Sequence, residues 1–130
     1  MEIKAKIIIE LLGSPKEYIE ETMKKVLDEL KARKEVSILK QETSDAKEVE
    51  KFYSVFSDIE MKCNDISTLI GVCFDFMPSS VEIISPENLS FESKEMENLL
   101  NDLLARLHQE SMLIRNLHAE NLLMKQKLKK

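Results

Sequence analysis

The sequence predicts an α+β chain, with a ferredoxin-like βαββαβ plait over residues 1–90 and a long C-terminal coiled-coil helix over residues 93–130. Three observations carry that expectation. Apolar and polar residues alternate at positions 3–11 and again at 53–63, the period-two pattern of a strand with one buried face. Two intervening stretches carry their apolar residues at helical spacing instead. Beyond Pro86 the chain holds no Pro or Gly, and its leucines fall on a heptad.

The elements follow in order. Ile3, Ala5, Ile7, Ile9 and Leu11 alternate with Lys4, Lys6 and Glu10, so the chain opens with a strand that Gly13 is expected to break. Ser14-Pro15-Lys16-Glu17 reads as a capping box, with Ser14 as the cap and Pro15 in the first helical position. Ile19, Met23, Val26, Leu27 and Leu30 then mark one face of a helix running to about Arg33. A short strand is expected around Val36, Ile38 and Leu39, followed by a polar loop over 42–50 in which 45–50 could form a helical turn. Tyr53, Val55, Ile59, Met61 and Cys63 share one parity of a long strand, with Asp58, Glu60 and Lys62 on the other. Asn64 and Asp65 can cap a helix carrying Ile66, Leu69, Ile70, Cys73 and Phe76, which Pro78 stops. A brief β-branched run at 81–85, ended by Pro86, supplies the last strand.

In a plait of this order the odd residues meet the two helices, leaving Lys4, Lys6, Glu10, Asp58, Glu60 and Lys62 on the open face, where opposite charges can pair across strands. Ile8, Phe56 and Ile84 would interrupt that charged surface.

Ser93 is expected to cap the final helix, which is too long to be covered by so small a domain. Placing Leu100, Leu107, Ile114, Asn121 and Leu128 at the a positions puts Leu103, Glu110, Leu117 and Met124 at d, a mostly apolar seam. The expected dimerisation residues are therefore Leu100, Leu103, Leu107, Ile114, Leu117, Asn121, Met124 and Leu128. Asn121 at a, with Glu120 at g and Lys125 at the next e, favours a parallel homodimer. Glu110 inside the seam and Leu122 with Leu123 outside it strain that register. Folding back on the first domain and pairing with a different protein are the alternatives.

Composition narrows the function classes. With 33% charged residues and a net charge of −5, the surface is not generally basic, which argues against broad nucleic-acid binding. The residues ahead of the coil are acidic where a basic zipper needs Lys and Arg, and the central strands lack the aromatic pattern of an RNA-recognition sheet. Lys125, Lys127, Lys129 and Lys130 complement a helix C-terminus. No apolar run reaches a membrane span, no signal peptide is apparent, and a cytoplasmic location is expected. No catalytic, cofactor or metal residues are expected. Cys63 and Cys73 read as small core hydrophobes, His108 and His118 as solvated helix residues, and Gly13 and Gly71 form no phosphate-binding pattern.

Lys4-Ala5-Lys6-Ile7-Ile8-Ile9-Glu10-Leu11 and Asp65-Ile66-Ser67-Thr68-Leu69 resemble the corresponding strand and helix opening in the small dimerising subunit of the KEOPS tRNA-modification complex, a ferredoxin-like family. That resemblance implies an accessory dimerising subunit of a larger assembly. The long C-terminal helix departs from that subunit's plan, so no functional residue carries over. The leading expectation is a non-enzymatic dimeric interaction or scaffold protein, whose coil holds two plait domains together as a bivalent surface for a protein partner. A small-molecule-sensing domain, similar to ACT-type domains in element order alone, is the alternative. An enzyme recruiting an acidic pair such as Asp58 with Glu60 is a third.

Overall fold

The structure is a computed structural model and describes residues 2–129. It is α+β: a five-stranded antiparallel sheet, two helices on one of its faces, and a long C-terminal helix. Two compact units divide the chain, Met1–Leu89 and Ser90–Lys130.

The first unit is built from β1 (Ile3–Gly13), α1 (Lys16–Lys31), β2 (Val36–Thr43), β3 (Lys47–Val49), β4 (Phe52–Cys63), α2 (Ile66–Phe76) and β5 (Ser80–Ser85). Its sheet order is β2-β4-β1-β5, with the short β3 also paired to β4. Ile3 lies opposite Cys63 and Gly13 opposite Tyr53, so β1 pairs with β4 over its whole length. The odd residues Ile3, Ala5, Ile7, Ile9, Val55, Ile59, Met61 and Cys63 are all buried. They meet Ile19, Met23, Leu27 and Leu30 of α1 and Leu69 and Val72 of α2 in one core, and Leu89 packs against its edge. Ser57 shares that parity and is the buried polar residue among the described ones; its hydroxyl bonds the Thr43 hydroxyl at 2.7 Å, which removes the cost of burying it.

Several local expectations are corrected. The first strand runs through Gly13 instead of ending before it, and a Cβ at that position would lie 2.6 Å from Ile19 Cδ1. Gly13 is thus where the first side chain of the α1 face closes over the strand. The capping box does not form. Pro15 occupies the cap position itself, with extended φ/ψ, and Ile19 donates its N–H to the Pro15 carbonyl, so Ser14 lies one residue too early to reach the free amides. The segment expected as a loop or helical turn over 42–50 instead extends β2 to Thr43 and adds β3, joined to β4 by a hairpin turn at Glu50-Lys51. Glu50 takes a left-handed φ of 56° there. α2 begins as expected on Asp65, whose carboxylate accepts from the Thr68 N–H and hydroxyl, both at 2.8 Å. Met77 ends it at a φ of 49°.

The second unit is dominated by α3 (Ser93–Leu128), 36 residues and about 54 Å of helix. Its cap is Glu92 and not Ser93, and no side chain bonds the first amides. Phe91 and Met96 instead occupy the two positions of a hydrophobic staple and line one open hollow. Lys125 and Lys127 lie in the last turn and Lys129 caps it, while Lys130 falls outside the described residues.

Candidate functional site

Three surfaces stand out, and the most extensive is α3. No residue of this helix is buried. Of the eight residues expected at its seam, Leu103 is half-buried and the other seven are exposed, Ile114 to 66% and Leu128 to 86%. All eight lie within one unbroken helix, so their heptad spacing is preserved in space. Glu110 is exposed in the same stripe, and Leu122 and Leu123 are exposed outside it.

The second surface is the open face of the sheet, where Lys4, Lys6, Glu10, Asp58, Glu60 and Lys62 fall as their parity requires. Lys6 sits directly opposite Glu60, yet its ammonium bonds the diagonal Asp58 at 3.2 Å. That hydrogen bond and the Asp58 charge raise the Lys6 pKa, with Glu82 and Glu60 adding to the effect. Lys6, Lys40, Glu42, Asp58 and Glu60 enclose a charged hollow of about 140 Å³. Asp58 and Glu60, singled out above as an acidic pair, are thus interleaved with lysines. Such mixed rows are the ordinary composition of a solvated sheet face.

Toward the other end of the same face the chemistry changes. Leu12, Val49, Phe52 and Phe56 are exposed on the strand positions that continue the charged rows. Phe56 was expected there. Leu12, Val49 and Phe52 were not, because they lie beyond the stretches in which alternation is visible, and Val49 faces this side only through the β3 hairpin. Ile8 shares the face, whereas Ile84 lies at a bulge in β5, where the register shifts between its pairings to Lys4 and Ala5.

The third surface is a cavity of about 280 Å³ between α1 and β2. Met23, Leu27 and Val55 form its apolar lining, with Glu20, Lys24 and Thr43 among its polar walls. The bulge at Leu39 displaces the second half of β2, bringing Gln41 and Thr43 to the helix side where a regular strand would hold apolar residues.

Residues 4–130 match the MJ0538 family. The chain belongs to that family. No curated protein matches it. The match takes in both the sheet unit and α3.

The remaining candidates are chemically quiet. Cys63 is buried at the end of β4 and Cys73 half-buried on α2; both are free thiols. Burial pushes the Cys63 thiol up to about 11, with smaller contributions from Cys73 and Asp65, and burial also raises Cys73. Neither is held as a thiolate, the form that attacks or ligates. Among the described residues no cluster of three His, Cys, Asp or Glu side chains could hold a metal ion. No described helix is long and apolar enough to cross a membrane. Arg33 ties the end of α1 to α2, pairing with Asp75 and lying over the Phe76 ring at 5.0 Å. Those contacts give it a structural task.

Proposed function

We propose that this protein is a non-enzymatic dimeric scaffold, in which α3 pairs with a second copy as a parallel coiled coil and holds two sheet units as a bivalent binding surface. One observation carries the reading: a 36-residue helix that buries none of its residues yet exposes Leu100, Leu107, Ile114, Leu117, Met124 and Leu128. Covering each such side chain is worth about 1.5–3 kcal/mol, which a solitary helix forgoes entirely. A parallel register juxtaposes Asn121 with its twin and Glu120 with Lys125, satisfying the polar members of the seam.

The sheet order β2-β4-β1-β5 supports reading the first unit as a ferredoxin-like plait, with β3 continuing the β2 edge. The open faces of two such units, charged in part and apolar at the Leu12, Val49, Phe52 and Phe56 corner, would meet one protein target together. The second contact is then intramolecular, and apparent affinity rises by about 10² to 10⁴. The expected setting is the cytoplasm, where free thiols persist.

Sedimentation of the Ile114→Asp variant tests the coil. The reading requires a shift from dimer to monomer, and an unchanged dimer would move assembly to the sheet unit. The cavity between α1 and β2 favours a second reading, a small-molecule sensor, because an apolar floor beneath a few polar walls is the usual make-up of a ligand site. A metabolite-dependent rise in Tm that is lost in Met23→Trp, which fills the cavity, would select it.

A further inference from the structure

We infer that β5 is a second self-association element: in the coiled-coil dimer it adds antiparallel to β5 of the other copy, with Ile83 opposite Ile83, joining the two sheets into one. The inference rests on the coiled-coil reading above.

The two edges of the sheet differ in how they meet solvent. The β2–β3 edge is interrupted by the bulge at Leu39 and by the break between Thr43 and Lys47, and it carries Lys40, Glu42, Lys47 and Glu48. Bulges and charges of this kind are how proteins prevent an edge from pairing. β5 carries fewer of them, one bulge at Ile84 and one charge at Glu82, and it runs without a break. Its sequence is Ser-Val-Glu-Ile-Ile-Ser, its only sheet partner among the described residues is β1, and all six residues are exposed, Val81, Ile83 and Ile84 among them. A row of its amides and carbonyls therefore faces away from the sheet. The one charge on the strand, Glu82, stands opposite Lys6 in register and near enough to act on its charge, although the Lys6 ammonium bonds Asp58.

The occupant follows from geometry and charge. Keeping the helix layers of both copies on one side of the joined sheet requires opposed residues of equal parity. Centring the pair on Glu82 would set two carboxylates against each other, a destabilising arrangement. Centring it on Ile83 instead sets two isoleucines together and keeps the two Glu82 carboxylates off each other. β5 is thus compatible with itself in the register centred on Ile83.

Area decides that the contact needs the coil. A pairing of six-residue strands falls well below the roughly 1,200 Å² of a stable interface, so β5 alone would not hold two chains together. The seven residues 86–92 between β5 and α3 span at most about 25 Å, and coiled helices lie about 8–10 Å apart. A parallel coil therefore delivers two β5 strands to each other at an effective concentration in the millimolar range. That makes a second copy of this chain the favoured occupant over a free peptide strand.

Disulfide trapping tests the register. In a full-length Cys73→Ser background, Ile83→Cys and Glu82→Cys are oxidised separately and resolved on non-reducing gels, with sedimentation run on the same samples. The expected result is a covalent dimer for Ile83→Cys, little for Glu82→Cys, and trapping of Ile83→Cys slowed about 10²-fold or more when Ile114→Asp is added. A protein that sediments as a dimer but is not trapped through Ile83→Cys, or is trapped equally through Glu82→Cys, overturns this inference and leaves the coil standing. A protein that sediments as a monomer overturns both.

Discussion

Ile7, Ile59 and Met61 of the sheet unit have no exposed surface, whereas Ile114, Leu117 and Met124 of α3, side chains of the same kinds, are more than half exposed. The contrast separates two ways of specifying burial. In the sheet unit the buried apolar residues have their partners supplied by the same chain: β1 and β4 pair over eleven positions, and α1 and α2 close the odd face. In α3 the apolar stripe follows a heptad, yet none of its residues is buried. The core of the sheet unit is therefore closed by its own elements, and the stripe of α3 is an extended exposed apolar surface.

Damage to either half reports on how far the other depends on it. Ile114→Asp places a carboxylate at the centre of the proposed seam; the expected result is complete loss of the dimer with the thermal transition of the sheet unit unchanged. Loss of both signals together would mean that the sheet unit depends on α3. The converse substitution, Leu30→Ala, empties a fully buried site of α1 and should lower the stability of the sheet unit by about 2–5 kcal/mol in denaturant titration. Its dimer mass should not change. A dissociated Leu30→Ala protein would mean that the coil alone does not hold the dimer.

A subtler change sharpens the account of the helix alone. Asn121→Leu replaces the one amide at an a position with an apolar side chain. If two Asn121 amides face each other in the seam, the variant melts at a higher temperature and populates trimers or antiparallel pairs in sedimentation and crosslinking. If Asn121 faces solvent, the change leaves oligomer distribution untouched.

Most of the sheet unit was legible because its two central strands are long and strictly alternating: Ile3 to Ile9 and Val55 to Cys63 have their burial written in their parity. The errors lie where backbone geometry departs from residue preference. Glu50 turns the β3–β4 hairpin in a left-handed conformation that sequence usually marks with Gly or Asn, so nothing announced a hairpin within 42–50. Ser14-Pro15 carried a strong cap signature, yet the helix starts one residue later than the signature implies. The apolar corner at Leu12, Val49 and Phe52 was hidden for a related reason, since its members come from three strands and meet only through that hairpin. For α3, extent was legible from helix propensity and the lack of breakers. Its partner was not, because an apolar stripe is satisfied equally by a second copy, another protein or another domain.

The smallest effect tests whether local signals, where they do form, contribute what their chemistry implies. Asp65 is an exposed residue whose carboxylate accepts two hydrogen bonds from Thr68 at the start of α2. These bonds hold its pKa below the ordinary carboxylate range, the backbone amide contributing most and the Thr68 hydroxyl next. A depressed folded-state pKa means that the ionised form is bound more tightly in the native chain. Its contribution is therefore fully present above the unfolded-state pKa and disappears as pH falls through the folded value. Asp65→Ala should cost about 0.5–1 kcal/mol at neutral pH, toward the low end of cap substitutions because solvent screens the site. The difference between wild type and variant should shrink as pH drops through the acid range, whereas Asp65→Asn, which keeps an acceptor oxygen without the charge, should lose less and show little pH dependence. A pH-independent deficit in Asp65→Ala would mean that the aspartate supports α2 through packing and not through its charge.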